Sequence, residues 1–258
     1  MANKEQMRQL DNGVEEWNQW RSENPSVPID LSHTKLIGWF LSGANLAQAN
    51  LEGTDLSGAS LHQANLSGAN LKRTQCLGAD LSQAIVSHAN LEEANLSRVD
   101  AQGCNFQGSC LRRAYFTGAE LAHADFGTAD LREAKLDRVD LSHAQLTDAQ
   151  LQGASLSASR LMYANLTAAS LEKANLSETK LNRSDLSHVN LNQAILDGTN
   201  FLGANLTGAT LTQTDLSRTN LSGATLEQAN IQENFSDQDK DDRTLEECVQ
   251  AALDELMS

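Results

Sequence analysis

The chain has 258 residues, a net charge of −15 and 40% apolar residues, of which few are aromatic. It contains no long apolar run and no cluster of Lys and Arg, which excludes a membrane-spanning helix and a basic nucleic-acid-binding stripe. Four cysteines are scattered without metal or disulfide spacing, so they are expected to be free thiols in a reducing compartment, and without signal or lipidation motifs the cytoplasm is the expected location.

Residues 1–30 form the first unit. Over 4–21 the apolar residues Met7, Leu10, Val14 and Trp17 recur at spacings of three and four, with Trp20 close to the same side, which predicts a helix weakened at Gly13. Pro25 and Pro28 end it and impose an extended entry into the repeats.

From residue 31 to 231 every fifth residue is apolar, in one unbroken phase, and of the forty-one such positions thirty-three are Leu. At the forty positions two residues earlier, from Thr34 to Ala229, stands a small residue, most often Ala, except at Trp39. In a helix, residues five apart are rotated by about 140°, so no apolar stripe forms. In a straight strand, alternate leucines would face water. The pattern is consistent only if the chain turns a corner once per repeat and stacks each repeat on its neighbours.

The outward residues indicate how many corners close a coil. With four repeats per coil, residues twenty apart stack, giving a column Arg73, Glu93, Arg113, Glu133 with Glu92 and Arg112 beside it, so that signs alternate where they touch. The units Ala44-Asn45-Leu46, Ala64-Asn65-Leu66, Ala94-Asn95-Leu96, Ala129-Asp130-Leu131 and Ala204-Asn205-Leu206 resemble the A(D/N)LXX consensus of the pentapeptide-repeat proteins, and the N-terminal stretch around Trp17 and Trp20 is similar to cyanobacterial members. The resemblance implies an all-β solenoid over 31–232: a right-handed, four-sided parallel β-helix of about ten coils, roughly 48 Å long at the strand spacing.

A stacked β-structure exposes an open edge and an apolar cross-section at each end, so short α-helical caps are expected at both. At the start, Trp39 fills a small-residue slot and Phe40 the polar slot beside it; such bulk is expected to contact the N-terminal lid. In the middle, Phe106, Phe116 and Phe126 replace Leu while Ala101 shrinks a nearby inward position, which reads as traded core volume. Residues 233–258 carry nine of the chain's acidic groups and read as an acidic linker followed by a helix opened by the capping box Thr244-Leu245-Glu246-Glu247. That helix either covers the far end of the solenoid or pairs with a second copy to make a homodimer.

No phosphate-binding glycine loop, nucleophile elbow or metal-ligand spacing is present, and no cofactor is implied. Glycines fall on the outward positions where bends need them, and the family resemblance makes the Asn and Asp before each central residue supports of the turns. One surface region departs from the background. At a twenty-residue coil, His123, His143, Tyr163 and Arg183 form a column, with Arg160, Met162, Lys180 and Leu202 on the same face, a residue mix enriched at protein interfaces. Glu120 and Asp140 sit three positions from the histidines, near the other edge of the face, too far to share a metal with them.

These features predict a non-catalytic rod that docks an unidentified protein partner, with no direct contact to nucleic acid or membrane. The resemblance supplies a second expectation, because some pentapeptide-repeat proteins act on DNA gyrase and are viewed as mimics of duplex DNA. The solenoid's charge of only −5, and its lack of the loops that interrupt quinolone-resistance members, place that reading second.

Overall fold

In the computed structural model, residues 3–231 are described; the expected linker and helix at 233–258 lie outside them. Every parallel bridge in the solenoid joins a residue to the one twenty further on, from Asp30↔Asn50 to Thr210↔Asn230. Four pentapeptides therefore close one coil. No bridge extends into a longer strand: one residue per repeat pairs with the coils beside it, except that Ile195 and Asp215 form no bridge with each other, and the chain turns again at once.

Every corner but the one at Arg218 has the positive φ of a type II turn. The central residue's carbonyl accepts the N–H three residues on, as in Ala44 N–H to Leu41 O at 3.0 Å, and the third turn position has positive φ, about 55–71° across the solenoid. Type II geometry demands that left-handed conformation, which glycine takes without a Cβ clash. Yet His, Gln, Arg, Glu and Tyr occupy it at many corners, His123 and Tyr163 among them. The preceding Asn or Asp braces the corner: Asn65 Oδ1 accepts the Ser67 N–H at 3.0 Å. This is the turn support that the family resemblance implies.

Leu and the small residue both face inward and are buried along the rod. Where the small residue is Thr or Ser, its hydroxyl is satisfied inside: Thr54 Oγ1 donates to the Leu31 carbonyl at 2.8 Å and Ser109 Oγ to that of Val86 at 2.7 Å. The three mid-rod phenylalanines form one cluster. Phe106 and Phe126 stack at 4.8 Å, and Phe116 meets both edge-on at 6.1 Å. Ala101 is fully buried nearby in the inward row. Large and small residues thus share one close-packed interior.

The N-terminal stretch is two helices instead of one. Helix α1 spans Lys4–Asp11 and α2 spans Val14–Glu23, and the break falls at Gly13, with φ 118°. Sequence periodicity ran through this residue because both helices turn apolar residues to the same end of the rod. Leu10 and Trp17 are buried there, and the leucines of the first coil, Leu31, Leu36, Leu41 and Leu46, are covered. The expected lid contact is displaced, however. Trp17 Nε1 donates to the Asn45 carbonyl at 2.9 Å and Arg21 Nη2 to that of Ala47 at 3.0 Å, so the lid grips the side of Asn45. Trp39 is partly buried against the core that Leu10 and Trp17 complete, whereas Phe40 is 88% exposed and is not covered by the lid. A residue in the polar slot points outward whatever its size, which is why the bulk of Phe40 does not make it a lid residue.

Candidate functional site: a stacked corner column

The predicted column assembles at one corner of the coil. Its backbones are held in register by bonds between coils, His123 N–H to Ser142 O at 3.0 Å, His143 N–H to Met162 O at 2.9 Å and Tyr163 N–H to Asn182 O at 3.1 Å. Their φ values lie between 57° and 62° through Arg183, so the four side chains leave the corner in the same direction. The rings then stack face to face: His123 on His143 at 4.9 Å and 9°, His143 on Tyr163 at 5.0 Å and 6°. Arg183 closes the run, with Nη1 3.1 Å from the Tyr163 hydroxyl oxygen and its guanidinium carbon 6.0 Å from the ring centroid.

Arg160 and Lys180 are bridged neighbours on the adjoining face. Arg160 reaches Asp140 at 3.4 Å. Burial raises the Asp140 pKa, but hydrogen bonding from Ser142 and the Arg160 charge outweigh it, leaving the carboxyl below its usual range. Met162 is half-buried at the corner, while Tyr163 and Leu202 remain exposed at 47% and 42%. The face therefore presents ring edges, two short apolar surfaces and three cations, with Asp140 against Arg160 and Glu120 one bridge before it. Such a surface can receive acidic and apolar groups of another macromolecule. No nucleophile stands beside a general base here, and among the described residues no group of three or more His, Cys, Asp or Glu is placed to hold a metal.

Three members of the charged column, Arg73, Glu93 and Arg113, pair on another corner, while no ion pair of Glu133 is seen among the described residues. Arg73 Nε meets Glu93 at 2.8 Å, while Arg113 forks to Glu92 at 2.8 Å and Glu93 at 3.1 Å. Glu92 is completed by Lys72 at 2.7 Å, not by Arg112. The Lys72 hydrogen bond lowers the Glu92 pKa and the Arg73 hydrogen bond that of Glu93.

One surface feature is not obvious in the linear sequence. Asp80, Asp100, Glu120 and Asp140 are bridged in succession, an acidic row that meets Arg160 and Lys180 on the same face. Reading every twentieth residue from position 80 would have found it.

The geometry agrees with the comparisons. The family model "Pentapeptide repeats (8 copies)" matches in overlapping stretches from residue 29 to residue 233. The crystal structure of HetL, a pentapeptide repeat protein involved in heterocyst differentiation regulation from the cyanobacterium Nostoc sp. strain PCC 7120, is 31% identical, with a TM-score of 0.74 over 82% of this chain and 92% of that one. Rfr23 from the cyanobacterium Cyanothece 51142 is 38% identical over 34% of this chain and 59% of its own, at a TM-score of 0.33. QnrB1, a plasmid-mediated fluoroquinolone resistance protein, is 18% identical over 88% of this chain and 99% of its own, at 0.30. No curated protein matches in sequence. The chain belongs to the pentapeptide-repeat proteins, and its solenoid is the right-handed quadrilateral β-helix of that family. No helix among the described residues is long and apolar enough to cross a membrane.

Proposed function

We propose that this protein is a non-catalytic rod of about ten coils that works in the cytoplasm by docking a protein partner. The docking face is the column His123, His143, Tyr163 and Arg183, with Arg160, Met162 and Lys180 beside it. The observation that carries this reading is the continuous stack of three rings ending on Arg183. It places aromatic edges and cations on an exposed corner of an otherwise acidic molecule, and Tyr, Met and Arg are the residues that protein interfaces favour. Likeness to HetL, whose name ties it to differentiation regulation, supports a regulatory role for the partner complex, although one fold serves several functions. Residues 233–258 serve in this reading as an acidic linker and a helix that covers the far end or pairs with a second copy.

Affinity capture tests the proposal. The native protein is compared with a variant carrying His123→Ala, His143→Ala, Tyr163→Ala and Arg183→Glu together, and the variant is expected to stay folded and lose the captured partner. Retention of that partner at native level rules out the column.

The acidic row favours a second reading, a modulator of DNA gyrase through mimicry of duplex charge. Asp80, Asp100, Glu120 and Asp140 repeat at the bridge spacing of about 4.8 Å. The row ends at Arg160, so the negative stretch is short. A purified sample that neither alters gyrase supercoiling nor protects gyrase from a quinolone eliminates this reading.

A further inference from the structure

Hydrogen bonds between coils run in a fixed direction. From the second coil on, with the exception of Asp215, the residue in the Asn/Asp slot turns both its N–H and its C=O toward the preceding coil: Asn65 donates to the Ala44 carbonyl at 2.9 Å and accepts from Leu46 N–H at 2.7 Å. The first coil has no coil before it, so Asp30, Lys35, Phe40 and Asn45 need other partners.

Two of the four sides find them in the lid. Asp30 N–H donates to Gln6 Oε1 at 2.8 Å, and the Asp30 carbonyl accepts from Asn3 N–H at 2.8 Å. Asn45 N–H donates to Asn18 Oδ1 at 2.7 Å, and its carbonyl accepts from Trp17 Nε1 at 2.9 Å. On the other two sides, the N–H and C=O of Lys35 and of Phe40 have no hydrogen-bond partner among the described residues. The lid closes the apolar cross-section but only half of the backbone edge.

The open half is also where the surface turns apolar. Phe40 is 88% and Ile37 55% exposed, with Trp39 partly buried between them. Many repeats place Asn, Asp or Ser at the slot of Phe40 and Ser or Thr at that of Ile37, as at Asn45, Ser60, Ser57 and Thr117; Ile85, Tyr115 and Ile195 share the first slot and Leu77 and Leu202 the second, but each is less exposed than Phe40 and has a coil before it. Edges are ordinarily blunted by charge. Lys35 does this on its own side, whereas Phe40 does the opposite on the next.

We propose that the Phe40 side of the first coil is a strand-docking site for an extended segment of a partner protein. The segment's carbonyl takes the Phe40 N–H, its amide N–H donates to the Phe40 carbonyl, and an apolar side chain rests on Phe40 and Ile37. A donor and an acceptor from one residue, pointing the same way across a strand spacing of about 4.8 Å, match an extended main chain. A lipid chain supplies neither group, and a helix uses its own internally. The site is independent of the ring column, lying on the face of Arg160 but six bridges before it, about 29 Å away.

The test uses the full chain and a library of short linear peptides displayed on phage. Selected peptides are measured against the native protein and a variant with Phe40→Asn and Ile37→Ser, residue types that other repeats carry at these slots; thermal unfolding confirms that the variant is folded. The proposal expects peptides that bind the native protein at least about tenfold tighter, lose about tenfold when the bonding amide is N-methylated, and slow hydrogen exchange at the Phe40 amide. It is overturned if no peptide is enriched on the native protein over the variant, or if N-methylation at every position is without effect. A concentration-dependent dimer abolished by Phe40→Asn also overturns it, because the occupant is then a second copy.

Discussion

The imidazole of His143 lies flat against the ring of Tyr163, 5.0 Å between centroids and 6° from parallel. The two residues are a full coil apart in sequence, and only the twenty-residue register brings them together. Both stand on an exposed corner. A stack of this kind is worth about 0.5–1.5 kcal/mol when buried, less in water. Tyr163→Ala should therefore lower stability by no more than about 1 kcal/mol in urea unfolding. A larger loss would make the column a structural element.

The lid should behave differently. Trp17 is fully buried and donates its indole N–H to the Asn45 carbonyl. Replacing a buried Trp by Ala costs about 3–5 kcal/mol, and here it also leaves a carbonyl unpaired. Trp17→Ala is expected to raise hydrogen exchange across 29–50 before the middle of the rod, as local opening at an end requires. Uniform exchange along the rod would contradict the placing of the lid.

Corner glycines and the side chains stacked on them make a coupled pair. A Cβ added at Gly108 would lie 2.6 Å from His88 Nδ1, so Gly108→Ala forces the imidazole aside. The left-handed φ of 66° adds strain, of about 1 kcal/mol or more. In a double-mutant cycle, His88→Ala should recover part of the loss from Gly108→Ala. Simple additivity would show that the backbone carries all of it.

Acid should weaken the rod from its charged corner. The Lys72 and Arg73 hydrogen bonds hold Glu92 and Glu93 below the usual carboxylate range. The contribution of a group whose folded pKa is depressed is fully present above its unfolded value and lost as pH falls through the folded one. Tm should thus be flat near neutrality and fall below about pH 4.5. Glu92→Gln with Glu93→Gln should make that fall shallower, and an unchanged slope would exclude these residues as its source.

The cysteines test the interior. Burial pushes the Cys76 thiol up to about 12 and that of Cys104 well above its ordinary value. In a Cys248→Ser background, both should resist a thiol reagent in the native state and react after unfolding. Cys110, half-buried on the outside, should react first. Native labelling of Cys76 would show the core to be open.

Much of this was legible because the repeat leaves so little freedom. Leu every five residues with Ala two before it requires a corner per repeat, and the column His123 to Arg183 comes from counting in twenties. What the sequence concealed depended on details of pairing. Glu92 takes Lys72 and Arg113 instead of Arg112 because long side chains choose partners across a corner as well as along it. Gly13 splits the lid because its φ of 118° is left-handed, although the apolar spacing runs on through it. Phe40 is bulky enough for a lid contact, but its slot points outward, and direction is set by register and not by size. The half-open edge beside it emerges only when each backbone group of the first coil is assigned a partner.

Whether the stacked corner binds a protein is measured by the Kd of the captured partner for the native rod, for Arg183→Glu and for Arg73→Glu, a charge change of the same size on another corner. A docking corner gives at least about a tenfold loss for Arg183→Glu and less than about twofold for Arg73→Glu. Equal losses would mean that the partner senses only overall charge, and no loss at Arg183 would place the binding face elsewhere on the rod.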